Sequence, residues 1–296
     1  MASAAAGISL VGAGVAVSDH LTRYPVLSAQ AIRYAVGAGL LYAVSVVTGR
    51  RDAPLGPADW LRLLALALSG MVLFNVAVVR ALETGEPAVV GTVVGLAPVG
   101  VALLVPVLER RRPRTTIVAG ATLAASGAAL VQGFGDADRT ALCWAGVALL
   151  GEVAFTVLAS PLLRTLSPLG LAIRACAVAA LVLLAAALAD GSDGLVRPDA
   201  GEGLAIGYLA VASTAIAFVL WYRALARLGP ERTGLFAGLM PVSAALVGAA
   251  VTAAPLRLGT LVGTIVTGIG LVLGLGSRRR ARRNPPRRRL DVRIGG

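Results

Sequence analysis

The chain has 296 residues, 57% of them apolar and 14% charged, with a mean hydropathy of +0.83. Soluble domains run at roughly 45–50% apolar and 25% charged, so this composition argues against a water-soluble globule. The net charge of +12 would suit nucleic acid, but all 27 basic residues are Arg and none is Lys, so their placement decides what the charge means.

A membrane-crossing helix takes about 20 mostly apolar residues, so this length holds about ten with short loops and no room for a large soluble domain. Apolar runs broken by charged or Pro/Gly-containing stretches predict spans at 2–18, 26–48, 60–79, 87–108 and 115–132. A second set follows at 141–163, 168–189, 202–222, 231–252 and 257–276. None alternates with period two, and each exceeds the length of a barrel strand, so the expected fold is an all-α polytopic membrane protein. No Lys or Arg precedes the first run, which therefore reads as a retained first helix and not a cleaved signal. Cys143 and Cys176 lie in apolar runs and read as small core residues. His20 is the only histidine, so no His-based metal motif can form and no metal or cofactor is expected. Trp60, Trp144, Trp221 and Tyr222 fall near span ends, the usual place of aromatic belts.

The two sets are copies. Gly91-Thr-Val-Val-Gly95-Leu96-Ala-Pro98 recurs as Gly234-Leu-Phe-Ala-Gly238-Leu239-Met-Pro241, 143 residues on. At the same offset Arg80-Ala81-Leu82 matches Arg223-Ala224-Leu225, Gly120 matches Gly263 and Gly127 matches Gly270. Ala31-Ile32-Arg33 matches Ala172-Ile173-Arg174 at an offset of 141. The expected units are residues 1–135 and 136–277, each of five helices, followed by a basic tail over 278–296. An odd number of helices per copy makes the second enter the membrane from the opposite side, and such inverted repeats are a signature of secondary transporters.

The arginines set the orientation. With the N-terminus inside, Arg50, Arg51, Arg62, Arg110 to Arg112, Arg114, Arg164, Arg223, Arg227, Arg232 and those of the tail are all cytoplasmic. The opposite loops are mainly acidic. Both termini are thus predicted to be cytoplasmic in a multi-pass protein of a bacterial plasma (inner) membrane. The tail is placed to meet anionic lipid, and no nucleic acid is expected.

The stretches AIRYAVGAGLL (31–41), RALETGEPAVVGTVVGLAPVGVALLVPVLERRRP (80–113) and WYRALARLGPERTGLFAGLMPVSAALVG (221–248) resemble the EamA-like branch of the drug/metabolite transporter superfamily. The resemblance covers essentially the whole chain. It implies two five-helix units, an intramembrane Arg in the second helix of each and a Pro in the fourth. It also implies transport of small metabolites or drugs, commonly outward. That family often carries a Gly-Glu pair before the fifth helix of a unit. Here Glu109 stands near that place without the Gly, and the second unit reads Ala253-Ala254-Pro255-Leu256 with no acid.

Charged side chains within a bilayer are costly and mark substrate or ion paths. Arg33, Arg174 and Glu152 qualify. The two guanidiniums suit a carboxylate or phosphate on cargo, or else snorkel to their helix ends. Glu152, at the middle of the sixth helix, has Ser9 or Val11 as its aligned position in the first unit. Its roles are proton coupling, contact with a cationic amine, or a fixed ion pair with Arg174. Asn75 needs a polar partner, from another helix or from cargo. Gly91/Gly95 and Gly234/Gly238 are candidate packing faces, and Pro98 and Pro241 are candidate kinks or hinges of the fourth and ninth helices. The leading function is a secondary transporter, expected to bind a small molecule and to sit in the bilayer, with a homodimer left open. An intramembrane enzyme and a non-transporting scaffold or sensor are the competing classes. The sequence holds no nucleophile–base pairing or paired intramembrane carboxylates for the former.

Overall fold

The computed structural model describes residues 1–21, 24–49, 52–133, 135–189, 197–253 and 255–283. Nine helices among them are long and apolar enough to cross a membrane, and a shorter apolar helix precedes them. In chain order they are α1 (Ala2–Ser18), α2 (Val26–Val47), α3 (Pro57–Leu82), α4 (Pro87–Leu108), α5 (Thr115–Gln132), α6 (Arg139–Leu162), α7 (Pro168–Ala189), α8 (Ala200–Leu228), α9 (Pro230–Thr252) and α10 (Leu258–Arg283). The ten expected spans are all present. The backbone of α10 runs into the Arg-rich segment, and residues 284–296 of the expected tail lie outside the described residues.

Helix starts are set by local chemistry. α4 and α9 begin on Pro87 and Pro230, where the missing N–H costs nothing. α8 begins with a capping box: Asp199 accepts from the Glu202 amide while the Glu202 carboxylate accepts from the Asp199 amide, each at 2.8 Å. Asp138 caps α6 through the Ala141 amide at 2.7 Å. Its carboxylate also accepts from the Thr84 hydroxyl at 2.9 Å, tying the α3–α4 turn to α6. The Ala141 amide first, then that hydroxyl, holds the Asp138 carboxyl below the usual carboxylate range.

α3 and α8 are each interrupted by a π-helical segment, Leu68–Leu73 and Val211–Ile216. The offset between them, 211 minus 68, is again 143. α4 breaks at Gly95–Leu96, and α9 tightens to a 3-10 turn over Leu235–Gly238. A proline ring clashes with the carbonyl four residues back. Val94 and Ala237 are those residues for Pro98 and Pro241, so both helices give way one turn before their proline. α4 and α9 also end alike, on the left-handed residues Arg110 (φ 51°) and Ala253 (φ 53°), again 143 apart.

The two five-helix sets pack crosswise. α1 lies against α8 and α9 of the second set, and α6 lies against α3 and α4 of the first, while α2 pairs with α7 and α5 with α10. Glycines permit these approaches. A Cβ on Gly127 would stand 2.5 Å from the Gly263 carbonyl, and one on Gly120 would stand 2.7 Å from the Gly270 carbonyl. These two pairs interchange under the offset of 143, so α5 and α10 cross on a local two-fold axis. α1 docks likewise: a Cβ on Gly12 would meet the Met240 carbonyl at 2.3 Å, and one on Gly14 the Ser213 hydroxyl at 2.3 Å.

Two expectations fail. Cys176 is buried, but Cys143 is exposed on the outer face of α6. Trp221 and Tyr222 are 5% and 0% exposed, well inside the core and not in an interfacial belt. The expected span ended at 222, whereas α8 continues to Leu228, which moves both residues inward by about two turns.

Candidate functional site

Three of the four charged or amide side chains singled out in the sequence meet around one ring. Tyr34, on α2 and 3% exposed, has the Arg33 guanidinium carbon 5.2 Å from its ring centroid and accepts from Asn75 Nδ2 at 3.2 Å through its hydroxyl. The Glu152 carboxylate on α6 lies within electrostatic range of the same phenol.

Arg33 is fully engaged in the fold. Nε donates to Thr214 Oγ1 at 2.7 Å, Nη2 to the Ser213 carbonyl at 3.4 Å and Nη1 to Gln30 Oε1 at 3.2 Å. Ser213 and Thr214 belong to the π segment of α8, where the changed hydrogen-bond register makes backbone carbonyls available to side chains. In α3 the π-segment residue Met71 gives its carbonyl to Asn75 Nδ2, so that amide bridges its own helix to Tyr34. Each π segment therefore anchors one polar side chain of the centre.

Glu152 is half-buried and has no hydrogen bond or ion pair among the described residues. One turn along the same face of α6 is Phe155, which opens an aromatic cluster. Its ring centroid is 5.5 Å from that of Phe218 and 5.7 Å from that of Tyr222. Phe218 lies 6.0 Å from Tyr222 and 6.4 Å from Tyr34. The Tyr222 hydroxyl is buried without a hydrogen-bond partner among the described residues, and Glu152 is within electrostatic range of it. Cys176 of α7 is buried beside Tyr34 and Tyr222.

Arg174 stands apart. It turns back to the start of α7, donating to the Gly170 carbonyl at 3.2 Å and pairing with Asp52 at 3.3 Å. Asp52, in the α2–α3 turn, also accepts from the Ser167 amide at 2.8 Å and the Ser167 hydroxyl at 3.2 Å. Arg174 thus snorkels to the helix end and does not meet Glu152. The same end of the molecule carries a second bridge between the halves. Arg111, after α4, donates to Glu231 at the start of α9 and to Glu109 at 2.6 Å. The Glu231 carboxylate, ahead of Glu109, holds the Arg111 guanidinium above its usual range. The candidate packing glycines sit at contacts: a Cβ at Gly91 would run into the Gln132 amide, at Gly234 into Val101 at 3.0 Å and at Gly238 into Ala124 at 3.2 Å. Gly95 lies in the α4 break itself.

A family model described as the EamA-like transporter family matches residues 1–132 and again 139–275. The chain belongs to the EamA-like transporter family. It is therefore a multi-pass membrane transporter of the drug/metabolite type, and its family places it among transporters and not among enzymes. The family match is joined by two similar proteins. The uncharacterized transporter YetK of Bacillus subtilis is 24% identical over 270 residues, covering 88% of this chain and 82% of that protein. An uncharacterized transporter of Archaeoglobus fulgidus is 27% identical over 249 residues, covering 82% and 84% respectively. A solved crystal structure of a protein shares the fold at a TM-score of 0.79 and 20% identity, covering 94% of this chain and 96% of that one.

Tyr34, Phe155, Phe218, Tyr222 and Cys176 were not singled out in the sequence. Two signals could have found the aromatic ones. Phe218 is Asn75 plus 143, so aligning the two copies residue by residue puts it at the same point of the bundle. Phe155 follows Glu152 by three, the spacing of one helical face.

Proposed function

We propose that the protein is a secondary active transporter that moves a small metabolite, amino-acid-like compound or drug outward across the bacterial plasma membrane by alternating access. Residues 1–135 and 136–277 are the two moving units, with both termini cytoplasmic and the 278–296 tail on anionic lipid. The observation that carries this reading is a lone unpaired carboxylate, Glu152, at the crossing of two interlocked five-helix sets. Each first helix wedges between the third and fourth helices of the other set, so a tilt of one set against the other opens one end as it closes the opposite one. The Asp52–Arg174 and Arg111–Glu231 bridges hold one end shut, the end expected to be cytoplasmic. Pro98 and Pro241, beside matched breaks in α4 and α9, are the bending points. Arg33 and Asn75 keep the centre in shape.

Glu152 gives the cycle a proton site. Burial disfavours its anion, so a proton or a bound cargo takes the carboxylate through the occluded state. The titratable and charged groups facing it are Tyr34 and Arg33 from α2, Cys176 from α7 and Tyr222 from α8, with the Asn75 amide from α3. No cofactor or metal enters the scheme.

The test begins with a ligand-stabilisation screen of the purified chain, because a specific ligand raises apparent stability. A compound that stabilises is then offered in labelled form to proteoliposomes loaded with unlabelled compound. Exchange across the bilayer is the expected result. Stabilisation without counterflow is the behaviour of a sensor or scaffold, and turnover of the compound is that of an enzyme.

A further inference from the structure

Resting on the transport reading, and on the same central site, we infer that the cargo is an organic cation: a protonated amine or quaternary ammonium carrying an apolar or aromatic body. The two intramembrane charges near the centre are not equivalent. Arg33 spends Nε, Nη1 and Nη2 on Thr214, Gln30 and Ser213 and lies against the Tyr34 ring. An anionic cargo would have to displace those bonds to reach it. Glu152 has no such commitments among the described residues and keeps accessible surface. The charge left unneutralised at the centre is negative.

Its surroundings fit the same cargo. Phe155, Phe218, Tyr222 and Tyr34 form a continuous set of rings with centroids 5.5 to 6.4 Å apart. Ring faces carry the negative part of the aromatic quadrupole, which attracts a cation and repels an anion. An ammonium beside Glu152 would be neutralised by the carboxylate while its apolar substituents lie on the rings. The buried Tyr222 hydroxyl, without a partner among the described residues, offers one further polar contact. The second intramembrane Arg adds no competing anion site, because Arg174 is drawn off to Asp52.

Three probes of similar size separate the charge classes: phenethylammonium, phenylpropionate and phenylpropanol, each titrated into the full-length purified chain with thermal stabilisation and calorimetry as readouts. The expected result is saturable binding of phenethylammonium at least about tenfold tighter than either other probe, a difference of about 1.4 kcal/mol. Glu152→Gln lowers that affinity at least about tenfold, and Phe218→Leu lowers it severalfold by removing one ring. If Glu152→Gln fails to fold, Glu152→Asp, which keeps the charge, retains the cation preference, and Phe218→Leu still weakens it. Tighter binding of phenylpropionate, equal binding of all three, an unchanged Glu152→Gln affinity, or no saturable binding by any probe overturns the inference. Cation binding without counterflow of the bound probe would sink the transport reading and leave the charge assignment standing. Counterflow of phenylpropionate that is indifferent to Glu152 would do the reverse.

Discussion

Arg33 and Arg174 stand at matching places, 141 residues apart, yet the two halves of the molecule use them differently. Arg33 reaches across to the π segment of α8 and becomes part of the central packing. Arg174 bends back to the start of its own helix and ties it to the α2–α3 turn through Asp52. The same divergence recurs nearby. Asn75 and Phe218 occupy equivalent positions, one an amide bonded to Tyr34, the other the hub of the aromatic cluster. Duplication supplied a two-fold scaffold, with its paired π segments, paired helix breaks and crossing glycines, and divergence at a few inward positions supplied an asymmetric site. The scaffold is symmetric where backbones touch and asymmetric where cargo would bind.

The largest predicted effect breaks the symmetric part. Gly127→Val puts a side chain into the Gly263 carbonyl, and Gly270→Val does the same at the two-fold-related contact with Gly120. Neither backbone can retreat without parting α5 from α10, so each is expected to cost more than about 3 kcal/mol. Loss of monodisperse protein on size exclusion is the readout, and wild-type behaviour of either variant would contradict the two-fold packing.

The two arginines provide a sharper contrast. Arg33→Ala leaves the Thr214 hydroxyl and the Ser213 carbonyl without their donor among packed helices, at a cost of about 2–3 kcal/mol. Arg174→Ala removes a partly exposed pair, with side chains 27% and 17% accessible, at about 1 kcal/mol or less. Thermal unfolding of the two variants side by side checks the ordering, and equal losses would remove the claimed difference. Arg174→Ala also loosens one end of the bundle, so cysteines introduced across it should gain accessibility to a water-soluble thiol reagent.

Smaller effects lie at the helix ends. Asp138 has a folded-state pKa below its ordinary value, so its cap contributes at neutral pH and is lost as the pH falls through that folded value. Asp138→Asn should therefore flatten the acid limb of a stability–pH curve below about pH 4, and an unchanged limb would argue against the cap. Ala253→Gly and Arg110→Gly place glycine at left-handed positions that disfavour a Cβ, and each should raise stability by about 1 kcal/mol. A drop in melting temperature for both would contradict the shared geometry of the α4 and α9 ends.

Much of this fold could be read from residues. The ten spans, the copy relation and the family followed from apolar runs and from the repeat of Gly91 to Pro98 at Gly234 to Pro241. The π segments could not, because no residue type demands one. They show only in where Met71 and Ser213 send their carbonyls. Arg33, Asn75 and Glu152 stood out as polar groups in an apolar setting, whereas the rings around them looked like ordinary membrane residues. Tyr222 was misplaced for a definite reason: Arg223 looks like the end of a span, but the helix carries it and Arg227 onward to Leu228. Arg174 was legible as a charge in a helix, but not as a partner of Asp52, which lies 122 residues away.

The central claim is that a symmetric scaffold carries one functional charge, Glu152. Wild type and Glu152→Gln, matched for folding by melting temperature and reconstituted together, should be compared for uptake driven by a pH gradient in proteoliposomes. The account predicts accumulation against the cargo gradient by wild type and none by the variant. Equal pH-driven accumulation by the two proteins would contradict it.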